Sequence, residues 1–116
     1  MLAYLVMMDI RLLELHRVLK STGSIYLHCD STASHYLKLI MDSIFGIENF
    51  RNEIIWKRTS AHSGEGKITK YGRIHDSILF YTKSNDYTFN PQYSDYDKDY
   101  LDKFYKNKDP DGREWT

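Results

Sequence analysis

Leu5, Met8, Leu12, Leu15 and Leu19 recur at spacings of three and four, and Asp9, Arg11, Glu14 and Arg17 fall mostly off that stripe. The period predicts an amphipathic helix from about Ala3 to Leu19. Lys20 suits its carboxyl end, and Gly23 closes the turn. Ser24 to Cys29 is short, apolar and unalternating, with Ile25, Tyr26 and Leu27 in succession. Such a run suits a strand covered on both faces, as in a parallel sheet. Asp30, Ser31 and Thr32 then offer side-chain oxygens to the free amides of a second helix. That helix carries Leu37, Ile40, Met41, Ile44 and Phe45 on one stripe and stops at Gly46.

Further along, Ile54 and Trp56 alternate with neighbours in Asn52–Arg58, which predicts a strand. Residues 59–71 are polar, contain Gly64 and Gly66, and read as a mobile loop. Ser77–Thr82 reads as another buried strand, able to pair antiparallel with the first across that loop. The order is helix, strand, helix, strand, loop, strand. After Lys83 the character changes. Ser84-Asn85-Asp86 is a turn, Tyr87–Phe89 a candidate short strand, and Asp97–Tyr105 has helical spacing. Asp109-Pro110-Asp111-Gly112 is a strong turn signal.

With 116 residues there is room for one domain at most, with a limited core. Charge sharpens the picture only locally. Residues 51–75 hold six Lys/Arg against two Asp/Glu, and residues 84–116 hold five against eight, within a chain of net charge +0. A basic central stretch is compatible with a phosphate-contacting surface, although charge alone favours a solvated loop. A single cysteine, Cys29, excludes an internal disulfide, and a reducing, cytoplasmic setting fits. The apolar N-terminus is interrupted by Asp9 and Arg11 and falls short of the roughly 20 residues of a membrane span.

His28, Cys29, Asp30 and His35 form the densest polar cluster. A structural zinc site needs four ligands at paired spacings, and no second cysteine exists. Strand neighbours also point to opposite faces, which argues against a metal shared by His28 and Cys29, and against a Cys-His nucleophile pair. The plain reading is that Cys29 is a small buried residue and His28 ends the strand, and a positional reading stands beside it. Ligands bind outside the carboxyl ends of strands in open α/β sheets, so His28 and Asp30 would flank a site. Gly64-Glu65-Gly66-Lys67 lacks the first glycine and the Ser/Thr of a phosphate loop. Trp56, Lys57 and Arg58, then Arg73, His75 and Asp76, bracket the central loop. Cations for phosphates and a ring for base stacking suit a nucleic-acid surface. On composition alone the plainer reading, a core Trp with solvated cations, is favoured.

LLELHRVLKSTGSIYLHCDSTASHYLKLIMDSIFG, then ENFRNEIIWKR, GRIHDSILFYTKS and NPQYSDYDKDYLDKFYKNKDPDGR, together cover nearly the whole chain. They resemble the middle of a DNA adenine-N6 or cytosine-N4 methyltransferase, of the class found in type III and related restriction–modification systems. The resemblance implies an α/β fold: part of a Rossmann-like, S-adenosylmethionine-dependent methyltransferase sheet with flanking helices. Ser24–Cys29 would be its fifth strand, and Glu53–Lys57 with Ser77–Thr82 its terminal antiparallel hairpin. Residues 1–83 would be a partial catalytic domain and 84–116 the start of a DNA-specificity region.

The family moves a methyl group from S-adenosylmethionine to the exocyclic amine of a base in DNA. Asp/Asn-Pro-Pro-Tyr/Phe holds that amine, and Phe-x-Gly-x-Gly lines the cofactor. Neither occurs here, since the only prolines are Pro91 and Pro110. No catalytic residue carries over, and no cofactor-binding residue or metal ligand is assigned. Trp56, Lys57, Arg58, Arg73 and His75 remain as DNA or target-base candidates. The expectation is a fragment beginning inside a domain, marginally stable and inactive alone. Its partners would be DNA, the missing methyltransferase segments or a restriction subunit, with no membrane association. The alternative is a non-catalytic nucleic-acid-binding or interaction module.

Overall fold

The computed structural model describes residues 1–58 and 69–115. The Gly64–Lys67 motif and most of the expected loop lie outside the described residues. Among the described residues there are three helices and five strands: α1 (Leu2–Val18), β1 (Ser24–Cys29), α2 (Ser34–Phe45), β2 (Phe50–Lys57), β3 (His75–Thr82), α3 (Lys98–Phe104), β4 (Asn107–Lys108) and β5 (Glu114–Trp115). A single 3-10 turn, Ile47–Asn49, joins α2 to β2.

The α1 stripe turns inward as its spacing predicts. Leu12 is fully buried, with Leu5, Met8 and Leu19 packed beside it. Leu15 departs from expectation and stays exposed. At about 100° per residue it lies roughly 60° round from Leu12, at the stripe's margin. The helix is also less amphipathic than expected, because Val6, Ile10, Leu13 and Val18 face solvent. Its carboxyl end is held by a distant cation. Lys83 Nζ donates to Leu19 O at 2.8 Å, in the role expected of Lys20. The chain then turns at Gly23, where a Cβ would lie 2.6 Å from Leu19 Cγ, so the close approach requires glycine.

At the start of α2, Asp30 Oδ1 accepts from the amides of Thr32 at 3.0 Å and Ala33 at 3.1 Å. One carboxylate thus does what three side chains offered to do. Leu37, Met41 and Phe45 are buried on the predicted stripe. Gly46, at φ 88°, ends the helix in a conformation that favours glycine. Asn49 Nδ2 donates to Phe45 O at 2.7 Å and Lys83 O at 3.2 Å, tying the helix end to the end of β3.

The sheet order is β1-β3-β2, with β3 antiparallel to both neighbours. The β2–β3 pairing is the expected one. The placement of β1 in a purely parallel setting is corrected: its described partner is antiparallel, and one of its faces is open, with Tyr26 54% exposed. β1 and β2 therefore run in the same direction, and their carboxyl ends both lie beside the start of β3. Register assigns the faces. Cys29, Leu27 and Ile25 share one with Leu79 and Tyr81, packed on Leu12, Leu37, Met41 and Phe45. Tyr26, His28, Ile54, Trp56, Asp76, Ile78 and Phe80 share the other. A register shift at Arg51 throws its guanidinium onto the open side, where Nε donates to Thr82 Oγ1 at 2.9 Å and the group covers the Tyr87 ring at 4.5 Å.

Tyr87–Phe89 forms no strand. Its rings lie on Phe80 instead, which also stacks on Tyr26 at 4.5 Å between centroids. Beyond it, α3 carries a ring cluster of Tyr96, Tyr100, Phe104 and Tyr105. β4 and β5 form a hairpin around the expected turn, with Gly112 N donating to Asp109 O at 2.9 Å. Among the described residues, no helix is long and apolar enough to cross a membrane.

Two buried acids make stability depend on alkaline pH. Burial, then the charges of Asp30, Glu53 and Asp76, push the Cys29 thiol up to about 11. Burial and the hydrogen bond to Asp42 also raise the Tyr81 hydroxyl. Both groups are neutral in the fold and ionise more readily when unfolded. Their contribution is therefore full below the unfolded thiol value and is lost as pH rises through the folded one. Urea midpoints should fall between pH 9 and 11, with Cys29 alone costing on the order of 2 kcal/mol. Cys29→Ala should flatten part of that fall, and midpoints constant to pH 11 would refute it.

Candidate functional site

Strand ends, rather than a cavity, gather the polar groups. Trp56 pairs with Asp76 across β2 and β3, and His28 pairs with Ile78 across β1 and β3. Non-sequential segments thereby bring His28, Trp56, Arg58 and Asp76 to one corner of the open face. Asp76 is the centre. Its Oδ2 meets His28 Nε2 at 2.9 Å, and its Oδ1 meets Arg58 Nη1 at 3.5 Å. Its side chain is only 14% exposed, whereas those of His28 and Arg58 are 60% and 49% exposed. A sunken carboxylate thus carries two outward-facing nitrogen donors. Trp56, 59% exposed, presents its indole beside them.

A second, looser pair borders this corner. Arg73 Nη1 lies 3.9 Å from Asp30 Oδ2, while Asp30 Oδ1 holds the turn before α2. Asp30 therefore both holds that turn and stands beside a cation, and α2 itself has no side-chain cap at its first residue.

The five sequence candidates are not gathered together. Trp56 and Arg58 share the open face with Asp76, and Arg73 stands near Asp30. Lys57 pairs with His75 on the opposite face, because strand neighbours alternate. Trp56 is exposed, against the core role that composition favoured. His28, read as a flanking residue, is joined directly to the cluster. The link between His28 and Asp76 spans 48 positions, so no local pattern revealed it.

Cys29 faces away from His28 and is 7% exposed. With its thiol raised to about 11, it is a poor nucleophile at neutral pH. On that face Ser77 Oγ donates to Glu53 Oε1 at 2.6 Å. Among the described residues, no group of three or more His, Cys, Asp or Glu is placed to hold a metal ion.

A protein-family model described as DNA methylase, of the N6/N4 methyltransferases, matches residues 1–116. The chain is 32% identical over 111 residues to the type II methyltransferase M.EcaI of Enterobacter cloacae, covering 96% of this chain and 24% of that protein. It is 36% identical over 75 residues to the type II methyltransferase M.KpnI of Klebsiella pneumoniae, covering 65% of this chain and 18% of the relative. It is also 32% identical over 116 residues to the probable type III restriction-modification enzyme HindVI Mod subunit of Haemophilus influenzae, covering 97% of this chain and 15% of the other. The chain spans a quarter or less of the length of these curated relatives.

Proposed function

Since the chain belongs to the DNA methylase family of N6/N4 methyltransferases, we propose that it contributes a scaffold and a DNA-facing corner to a DNA amino-methyltransferase without carrying the reacting groups itself. One observation carries this reading. Two strands running in the same direction flank an antiparallel third, and an exposed Trp56 beside half-exposed cations lies at their carboxyl ends. That arrangement suits the fifth strand and terminal hairpin of a Rossmann-like methyltransferase sheet. Residues 1–83 then belong to the catalytic domain and 84–116 open the specificity region. In the cell such a chain works in the cytoplasm, on DNA, with further methyltransferase segments or a restriction subunit.

In this reading the corner receives the duplex. Arg58 and Arg73 meet phosphates, and the Trp56 indole stacks on a base taken out of the helix. Lys57 and His75, on the other face of the sheet, take no part in that corner. S-adenosylmethionine supplies the methyl group. The sequence contains no Phe-x-Gly-x-Gly run to cradle it.

The test is retention of short duplexes on filters by the purified chain. Retention should weaken steeply with salt. Duplexes with a mismatched adenine or cytosine should be held about 3- to 10-fold tighter than paired ones, since extrusion then costs less. Trp56→Ala should erase that preference while leaving the salt dependence. Equal retention of mismatched and paired duplexes would count against base capture by Trp56.

A further inference from the structure

We propose that Asp76 is a positioning residue that holds His28 and Arg58 as a paired phosphate clamp beside Trp56, making His28 a DNA contact. This rests on the DNA-facing reading of the corner. Asp76 lies too deep to meet a phosphate itself, at 14% side-chain exposure, and each of its oxygens is directed to a different exposed donor. The two donors come from β1 and from the residue after β2, strands that are hydrogen-bonded to β3 but not to each other. A carboxylate on β3 lies between them and can set their spacing. Arg58 uses one Nη1 at a long 3.5 Å and keeps its other N–H groups, and His28 uses one ring nitrogen and keeps the other, which donates when the ring is protonated. Freed from Asp76, each side chain would sample several rotamers and would lose that entropy on meeting a phosphate.

The sign of one substitution separates this role from bulk charge. Asp76→Asn removes a negative charge, so electrostatics alone predicts tighter DNA binding. A clamp predicts the opposite: retention weakened about 3- to 10-fold, with the salt slope shallower by about one to two phosphate contacts, at ~0.9 per contact. His28→Gln should lose about one contact. Binding by the unaltered chain should strengthen on acidification, because a phosphate attracts an imidazole that has gained a proton. The charged groups facing His28 are Asp76 and Arg58, with Asp30 and Arg73 at the same strand end. His28→Gln should flatten the profile.

The experiment is salt- and pH-dependent filter retention of a 20-base-pair duplex by the full chain and by Asp76→Asn, Asp76→Glu and His28→Gln. Circular dichroism melts report whether each variant folds. The expected result is weakening by Asp76→Asn, partial rescue by Asp76→Glu, and a flat profile for His28→Gln. Tighter binding by folded Asp76→Asn, or an unchanged profile for folded His28→Gln, overturns the clamp and leaves the DNA-facing reading intact. Salt-insensitive or absent retention by the unaltered chain overturns both. If Asp76→Asn fails to fold, the His28→Gln profile decides.

Discussion

Leu37→Ala is expected to lower the unfolding free energy by about 3 kcal/mol, within the roughly 2–5 kcal/mol range for truncating a buried leucine. Leu37 is fully buried on α2 and belongs to the same cluster as Leu12, Met41 and Leu79. Removing three carbons there leaves a cavity between the helix layer and the sheet. Leu39, two positions away, is 70% exposed, and Leu39→Ala should change stability by no more than about 0.5 kcal/mol. Urea titrations followed by circular dichroism measure both. Equal shifts for the two variants would show that α2 is not seated on the sheet by its Leu37 face.

The loss should be severe here because the reserve is small. A free-standing globular chain of this mass exposes roughly 6,600 Å², and this one exposes 9536 Å². Much of the apolar surface of α1 faces solvent. Among the described residues β1 and β2 each pair on one side only, so backbone donors and acceptors line both edges. A shallow transition and a tendency to aggregate are expected of the unaltered chain, and Leu37→Ala should move its midpoint to markedly lower urea. A sharp cooperative melt of a monomer would contradict this account of its surface.

What the sequence revealed depended on whether the relevant contact is local. The α2 stripe of Leu37, Met41 and Phe45 was legible because helical period alone determines which residues share a face. Strand limits were legible to within a few residues for the same reason, and hairpin pairing of β2 with β3 followed from adjacency. The β1–β3 pairing was not legible. Nothing near Ser24–Cys29 shows that its neighbour comes from His75–Thr82, or that the neighbour is antiparallel. His28 therefore read as a strand end, when it is one arm of a pair centred on Asp76. Trp56 misled in the opposite sense. Tryptophan is usually buried on average, yet this one lies on the sheet face turned away from the helices. Lys57 and His75 read as members of one basic patch because sequence proximity was taken for spatial proximity, and strand alternation separates them from Trp56.

The purified 116-residue chain is expected to transfer no methyl group to DNA, even where it retains DNA. Transfer requires the exocyclic amine to be held by oxygens on one side while the sulfonium methyl approaches from the other. Bringing such groups into near-attack geometry accounts for rate factors of roughly 10⁵ or more. The family's amine-holding motif ends in Pro-Pro-aromatic, and the only prolines here stand apart at Pro91 and Pro110. The carboxylates at the strand-end corner cannot substitute. Asp76 is engaged by His28 and Arg58, and Asp30 is engaged by two turn amides and lies beside Arg73. An oxygen that took up the amine would have to give up the partner it now holds. Incubation with tritiated S-adenosylmethionine and unmethylated duplex DNA should give incorporation equal to a no-protein blank. Incorporation above the blank, lost on Asp30→Asn or Asp76→Asn, would place the reacting oxygen in this corner and replace the scaffold reading with a catalytic one.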